Sequence, residues 1–187
     1  LEMGDYLDGV IPPLSQDEIE RGIGLFNERC LALGITSLPD ATPANDLERW
    51  ELFGGIKERG LLTPSVTVMA GASHVPRFLQ EGFTFGYGAH GLRLGAAKIV
   101  VTMTTGALHP PREELRRLVR EAHLRGFQVA IHAVEAVAVE EAIDAIRLGV
   151  EGGVPGALRH RIEHCSECPP HLVEKLARNG ITVVTQP

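Results

Sequence analysis

No stretch of this 187-residue chain approaches the roughly 18 consecutive apolar residues of a membrane-spanning helix, so no such helix is expected. The opening LEMGDYLDGV has no basic segment leading into an apolar run, so no secretory signal is expected there. Leu1 in place of an initiator Met suggests a cut chain. Basic residues are also in short supply: 18 Lys and Arg stand against 24 Asp and Glu, a formal charge of −6. Without a basic stripe, a nucleic-acid partner is not expected. Three cysteines cannot all pair internally, and a domain of this length needs no disulfide staples. No GxGxxG follows an apolar run, which weighs against a dinucleotide-binding sheet. Gly86 and Gly88 in GFTFGYGAHG lack a P-loop lysine and a following helix, so that stretch reads as a glycine-rich loop. A cytoplasmic protein with no membrane partner is the expectation.

What the chain does have is a beat. Short β-branched or apolar runs stand at Ile35–Leu38, Ser65–Ala70, Ala97–Val101, Gln128–His132, Arg161–His164 and Ile181–Thr185. Most are separated by about 30 residues, the length of a strand plus a crossover helix. The runs are apolar rather than alternating, as strands covered on both faces of a parallel sheet are. Helix signals fill the gaps. Ser15 and Glu18 have capping-box spacing ahead of Ile19, Ile23 and Phe26, and Gly34 ends that segment. Pro110-Pro111 opens a helix with Leu115, Leu118, Val119 and Ala122 on one face, stopped by Gly126. Ala136, Val139, Ala142, Ile143 and Ile146 form another stripe, and Pro169-Pro170 starts a last helix ended by Gly180. The fold class is α/β, either an open doubly wound sheet or an incomplete parallel (β/α)8 barrel with about six of its eight units.

In a barrel, functional side chains gather at the carboxyl ends of the strands. Lys98, His132 and His164 fall on three consecutive strand runs, one unit apart, with both histidines closing theirs. A lone histidine at a strand end is more often a hydrogen-bonded structural residue, whereas a lysine inside an apolar strand is costly unless paired or neutralised. The recurrence of the three at unit spacing favours a shared site in the mouth. Lysine can ligate a metal only after conversion to a carbamate, because an ammonium has no lone pair. His74 and His109 follow strands and are weaker, substrate-contacting candidates; Asp40 is weaker still. Glu163 has the opposite strand parity to His164, so it should point away from the mouth and pair a neighbouring arginine. His123 and His171 sit on helices and are expected to be solvent-exposed.

QVAIHA, an alanine-rich helix, RHRIEHC, a helix and then ITVVTQP resemble the amidohydrolase superfamily, and within it the amidohydrolase family 3 branch. The likeness is specific over about residues 126–187 and looser upstream, where GITSLPDA and GAAKIVV resemble the family's second and fourth strands. It implies that residues 1–187 are one partial barrel domain of a metal-dependent hydrolase spanning strands two to seven. Carried over, the resemblance implies His132 and His164 as metal ligands and Lys98 as the third, open to carboxylation and to bridging two metals; zinc is the expected metal. The implied reaction is hydrolysis of carbon–nitrogen (amide or cyclic amide) bonds of a small-molecule substrate by a metal-activated water. The family's His-x-His pair and its strand-eight Asp find no match here, so no residue of this chain is assigned as catalytic and the chain alone is expected to be inactive. Glu135-Ala136 stands where the family has Gly-Asp.

Two other readings remain open. The chain could be a non-catalytic barrel remnant serving as a binding or assembly module, and two unpaired sheet edges would favour a homo-oligomer. Lys98 could instead be the Schiff-base amine of a barrel lyase. The Cys165-x-x-Cys168 spacing has no second pair for a zinc ribbon, since Cys30 is the only other cysteine. Cys165 reads as a small residue packed at a strand end and Cys168 as a helix-entry residue.

Overall fold

A computed structural model of the protein describes residues 10–12, 14–104, 106–151 and 158–186. The N-terminal LEMGDYLDG and Pro187 of the final TQP lie outside them. Six strands, β1 (Ser37–Asp40), β2 (Ser65–Gly71), β3 (Leu92–Val100), β4 (Val129–Ala133), β5 (Arg161–His164) and β6 (Thr182–Val184), pair in sequence order. Every pairing is parallel. The sheet curls into a half-barrel, the incomplete barrel type anticipated above.

Helices alternate with the strands: α1 (Gln16–Ala32), α2 (Leu47–Glu58), α3 (Val75–Gln80), α4 (Arg112–Leu124), α5 (Ala136–Val150) and α6 (Pro170–Arg178). Ser15 caps α1 with the full reciprocal box, and Gly34 follows the helix at φ +69°, a left-handed conformation that glycine adopts without strain. Asp46 caps α2 by accepting the Arg49 N–H at 3.0 Å. The stretch GFTFGYGAHG, which reads as a glycine-rich loop, is the irregular link over residues 82–91 between α3 and β3. No helix among the described residues is long and apolar enough to cross a membrane.

The core lies between the sheet and its helices. Val66, Val68 and Ala70 of β2, Val129, Ile131 and Ala133 of β4, and Ile162 of β5 are buried there against Leu115, Val119, Val139, Ile143 and Leu172. The other, concave face carries a small cluster of Met69, Ala96 and Ala130. On β3 the alternation slips. Leu92 and Leu94 enter the helix-side core, but so do Ala97, Ile99 and Val101. An odd step separates the two sets because the register to β2 shifts: Val68 faces Leu94, whereas Ala70 faces Ala97. This bulge at Gly95-Ala96 reverses which face the following residues occupy. Gly95 permits it, since a Cβ there would lie 2.7 Å from Thr67 Cγ2.

Candidate metal centre

Lys98 has the same parity as Leu92 and Leu94, so an unbroken strand would drive its amine among the helices. The bulge instead places it on the concave face with Ala96, in register with Gly71 on one side and Ala130 on the other. It is 5 % exposed. Burial lowers its pKa; the Glu163 carboxylate offsets part of this and Arg161 adds to it.

His132 follows Ala130 on the same face of β4. His164 closes β5, where Ile162 and Cys165 are in the helix-side core and Arg161 and Glu163 face the other way. Alternation would aim His164 at the helices. Its backbone is left-handed, φ +72°, and Cys165 follows at φ +53°. Two consecutive non-glycine residues in this region are costly and twist the strand end. The His164 ring consequently meets that of His132, with centroids 4.5 Å apart and planes at 70°. Burial, then the neighbouring His164 and Lys98, lower the pKa of His132, which favours the neutral, lone-pair-bearing imidazole. The Oε1 of Gln186, just beyond β6, lies 2.9 Å from His164 Nδ1. An amide oxygen only accepts, so Nδ1 carries a hydrogen, and in the neutral ring Nε2 then holds the lone pair.

Glu163 corrects one sequence expectation. It does pair an arginine, with Arg161 Nε 2.6 Å from its Oε1, but it does so on the concave face in register with His132, close enough to bias Lys98 and His132. Parity with His164 misled because His164 is the residue that departs from the pleat. Neither Arg161 Nε nor Glu163 Oε1 makes a well-aligned hydrogen bond. His123 is the second correction: it is 4 % exposed, because its helix turns that side onto the sheet.

His74 lies in a single 3-10 turn directly after β2, its ring against Gly71. His109 forms an isolated antiparallel bridge to Thr102 in the loop after β3. No hydrogen bond joins either to the histidine pair. Asp40 closes a local turn by accepting the Thr42 N–H at 2.9 Å. Asn45, which no sequence pattern flags, is fully buried beside the site. Its Nδ2 donates to the Met69 carbonyl at 3.1 Å and its backbone carbonyl accepts the Gly71 N–H at 2.9 Å, tying the loop after β1 to the end of β2. Gly71 is required there, since a Cβ would overlap the Pro43 carbonyl oxygen. Cys165 is buried, and burial together with the Cys168 thiol pushes it up to about 12, which marks an inert thiol.

Among the described residues no group of three or more His, Cys, Asp or Glu could hold a metal ion. The donors present are two imidazoles in contact and one buried amine nearby. They fit part of a metal's first shell: both rings can present neutral nitrogen, and one has its remaining nitrogen already engaged.

A curled parallel half-barrel with paired imidazoles at adjacent strand ends places the chain among (β/α) barrel proteins with a candidate metal site. The amidohydrolase family model matches residues 3–187, and the chain belongs to that family. Two solved structures share the fold: an uncharacterized metal-dependent hydrolase from Pyrococcus furiosus (TM-score 0.77, 18 % identity) and another from Pyrococcus horikoshii OT3 (TM-score 0.77, 19 % identity). Each likeness covers 98 % of this chain but only 41 % and 39 % of theirs, so the chain spans about two-fifths of the length of these structures. No curated protein matches the chain significantly.

Proposed function

We propose that the chain is part of a metal-dependent amidohydrolase that cleaves carbon–nitrogen bonds, of amides or cyclic amides, in a small molecule. The observation that carries this reading is the contact between His132 and His164, achieved only through a strained strand end. In this reading His132 and His164 hold a divalent cation through neutral ring nitrogens, and Lys98 contributes the third ligand after carboxylation of its amine. Zinc suits such nitrogen and oxygen donors. When bound, it supplies Lewis acidity toward a carbonyl and toward water. The chain's own residues hold and orient: Gln186 fixes the His164 tautomer, and Arg161 with Glu163 sets the charge beneath Lys98. A cytoplasmic setting accords with the free thiols of Cys30, Cys165 and Cys168.

The absence of a third His, Cys, Asp or Glu donor among the described residues favours a second reading, a barrel segment that binds or assembles without catalysis. Metal analysis separates the two. A hydrolase retains a divalent ion and loses it in His132→Ala and His164→Ala; a chain that takes up none in excess zinc sustains the second reading. Hydrolysis of amide and cyclic amide panels by the metal-loaded full chain then tests the bond class.

A further inference from the structure

A second histidine pair lies at the opposite end of the same strands. His123, on α4, and His160, just before β5, are 4 % and 7 % exposed, and their rings are 5.2 Å apart. The Val129 N–H at the start of β4 donates to His160 Nδ1 at 3.0 Å. His160 Nδ1 is therefore unprotonated, and the neutral ring carries its hydrogen on Nε2. That nitrogen lies 3.0 Å from His123 Nδ1, which must then accept, leaving the His123 hydrogen on its own Nε2. No partner for that Nε2 exists among the described residues. The His160 carbonyl accepts the Thr182 N–H of β6 at 3.0 Å. One residue thus ties α4, β4 and β6 together at the foot of the sheet.

Only one protonation state satisfies this chain of donors. A proton on His160 Nδ1 would face the Val129 N–H, and a proton on His123 Nδ1 would face His160 Nε2–H. Either places two donors head to head inside the protein, where an unmade hydrogen bond costs its full desolvation. The surroundings also oppose a positive ring. Arg120 on α4 acts on His123, and Arg147 on α5 and Arg159 before β5 wall the adjoining cavity of about 300 Å3. The carboxylates of that corner, Asp144 and Glu151, pair with Arg147. Asn179 faces the cavity from the turn before β6 without charge, and residues 152–157, Gly-Gly-Val-Pro-Gly-Ala, carry no titratable side chain.

We infer that the His123–His160 pair is an acid-released latch, which holds α4 to the amino ends of β4 and β5 while both rings are neutral and lets that corner open when either ring takes a second proton. The electrostatics agree: burial and then His123 lower His160 to about 4, and burial and then Arg120 lower His123. An opened His160 regains an ordinary value near 6.5, so the open form binds more protons and gains population as pH falls from about 6.5 to about 4.

Residue-resolved amide exchange on the full chain tests the latch, with Val129 compared with amides at the other strand ends, Val101 and Cys165. Corrected for intrinsic exchange, Val129 opening should rise about 20-fold from pH 7 to pH 5 relative to those two. His160→Asn keeps an acceptor for Val129 but no titrating ring, and should abolish the rise. A constant Val129 protection ratio, or an undiminished rise in His160→Asn, overturns the latch. Should that variant fail to fold, ring-carbon shifts of the wild-type protein decide: one shared midpoint for His160 titration and Val129 exposure upholds the latch, and separate midpoints overturn it.

Discussion

The imidazoles of His132 and His164 stand 4.5 Å apart, centroid to centroid, although strict alternation along β5 aims His164 at the helices. The left-handed backbone at His164 and Cys165 turns the ring round, and the bulge at Gly95-Ala96 does the same for Lys98 two strands away, on β3. Three candidate ligands share one face because two strands break their own pleat. Strain of this kind persists where the surrounding structure over-determines it, and here the Cys165 N–H donating to the Ala133 carbonyl at 3.0 Å helps to hold it.

Gln186 fixes which nitrogen of His164 is free. Gln186→Ala removes the acceptor for Nδ1–H, so zinc affinity should fall by about 10-fold or more while the fold is unchanged. Competition with a chromophoric chelator measures it, with circular dichroism as the control.

Two helix glycines should respond to alanine with opposite signs. A Cβ on Gly149 of α5 would lie 2.8 Å from Val119 Cγ1 of α4, inside the tightly packed helix pair. Overpacking there should outweigh the gain in helix propensity and destabilise the protein by about 1 kcal/mol. Gly54 of α2 has nothing within 4 Å of that position, so Gly54→Ala should stabilise by up to about 1 kcal/mol. Urea unfolding of both variants checks the pair.

Global stability should depend on His160. Its folded value is about 4 against about 6.5 when unfolded, so the unfolded chain binds the extra proton between these limits. The contribution is complete above pH 6.5 and lost as pH falls through 4, on the order of 3 kcal/mol in all. Urea midpoints from pH 7 to pH 4 should fall less steeply in His160→Asn than in the wild-type protein.

Much of the architecture was legible because it rests on local chemistry. The six apolar runs all lie on strands or overlap them by at least part of their length, and Ser15, Gly34, Gly126 and Pro170 mark helix ends as their backbone preferences require. The helix α2 was not legible: Gly54 and Gly55 interrupt it and its apolar residues form no clear stripe. The candidate site is legible as residue types at unit spacing and not as geometry. Period-two alternation counted from His164 points Glu163 away from the mouth, but His164 has positive φ and itself leaves the pleat. Asn45 and Gln186 carry no sequence signal because their roles are hydrogen bonds to residues distant in sequence. His123 reads as a surface residue until His160, far along the chain, is seen to face it.

The central claim is that His132, His164 and Lys98 together hold a divalent metal. Elemental analysis of the purified full chain, alongside His132→Ala, His164→Ala and Lys98→Ala, tests it most directly. The account predicts bound zinc or a related divalent ion in the wild-type protein and its loss in both histidine variants, with weakened retention in Lys98→Ala. Wild-type protein that takes up no metal from excess zinc, or histidine variants that keep it undiminished, would contradict it.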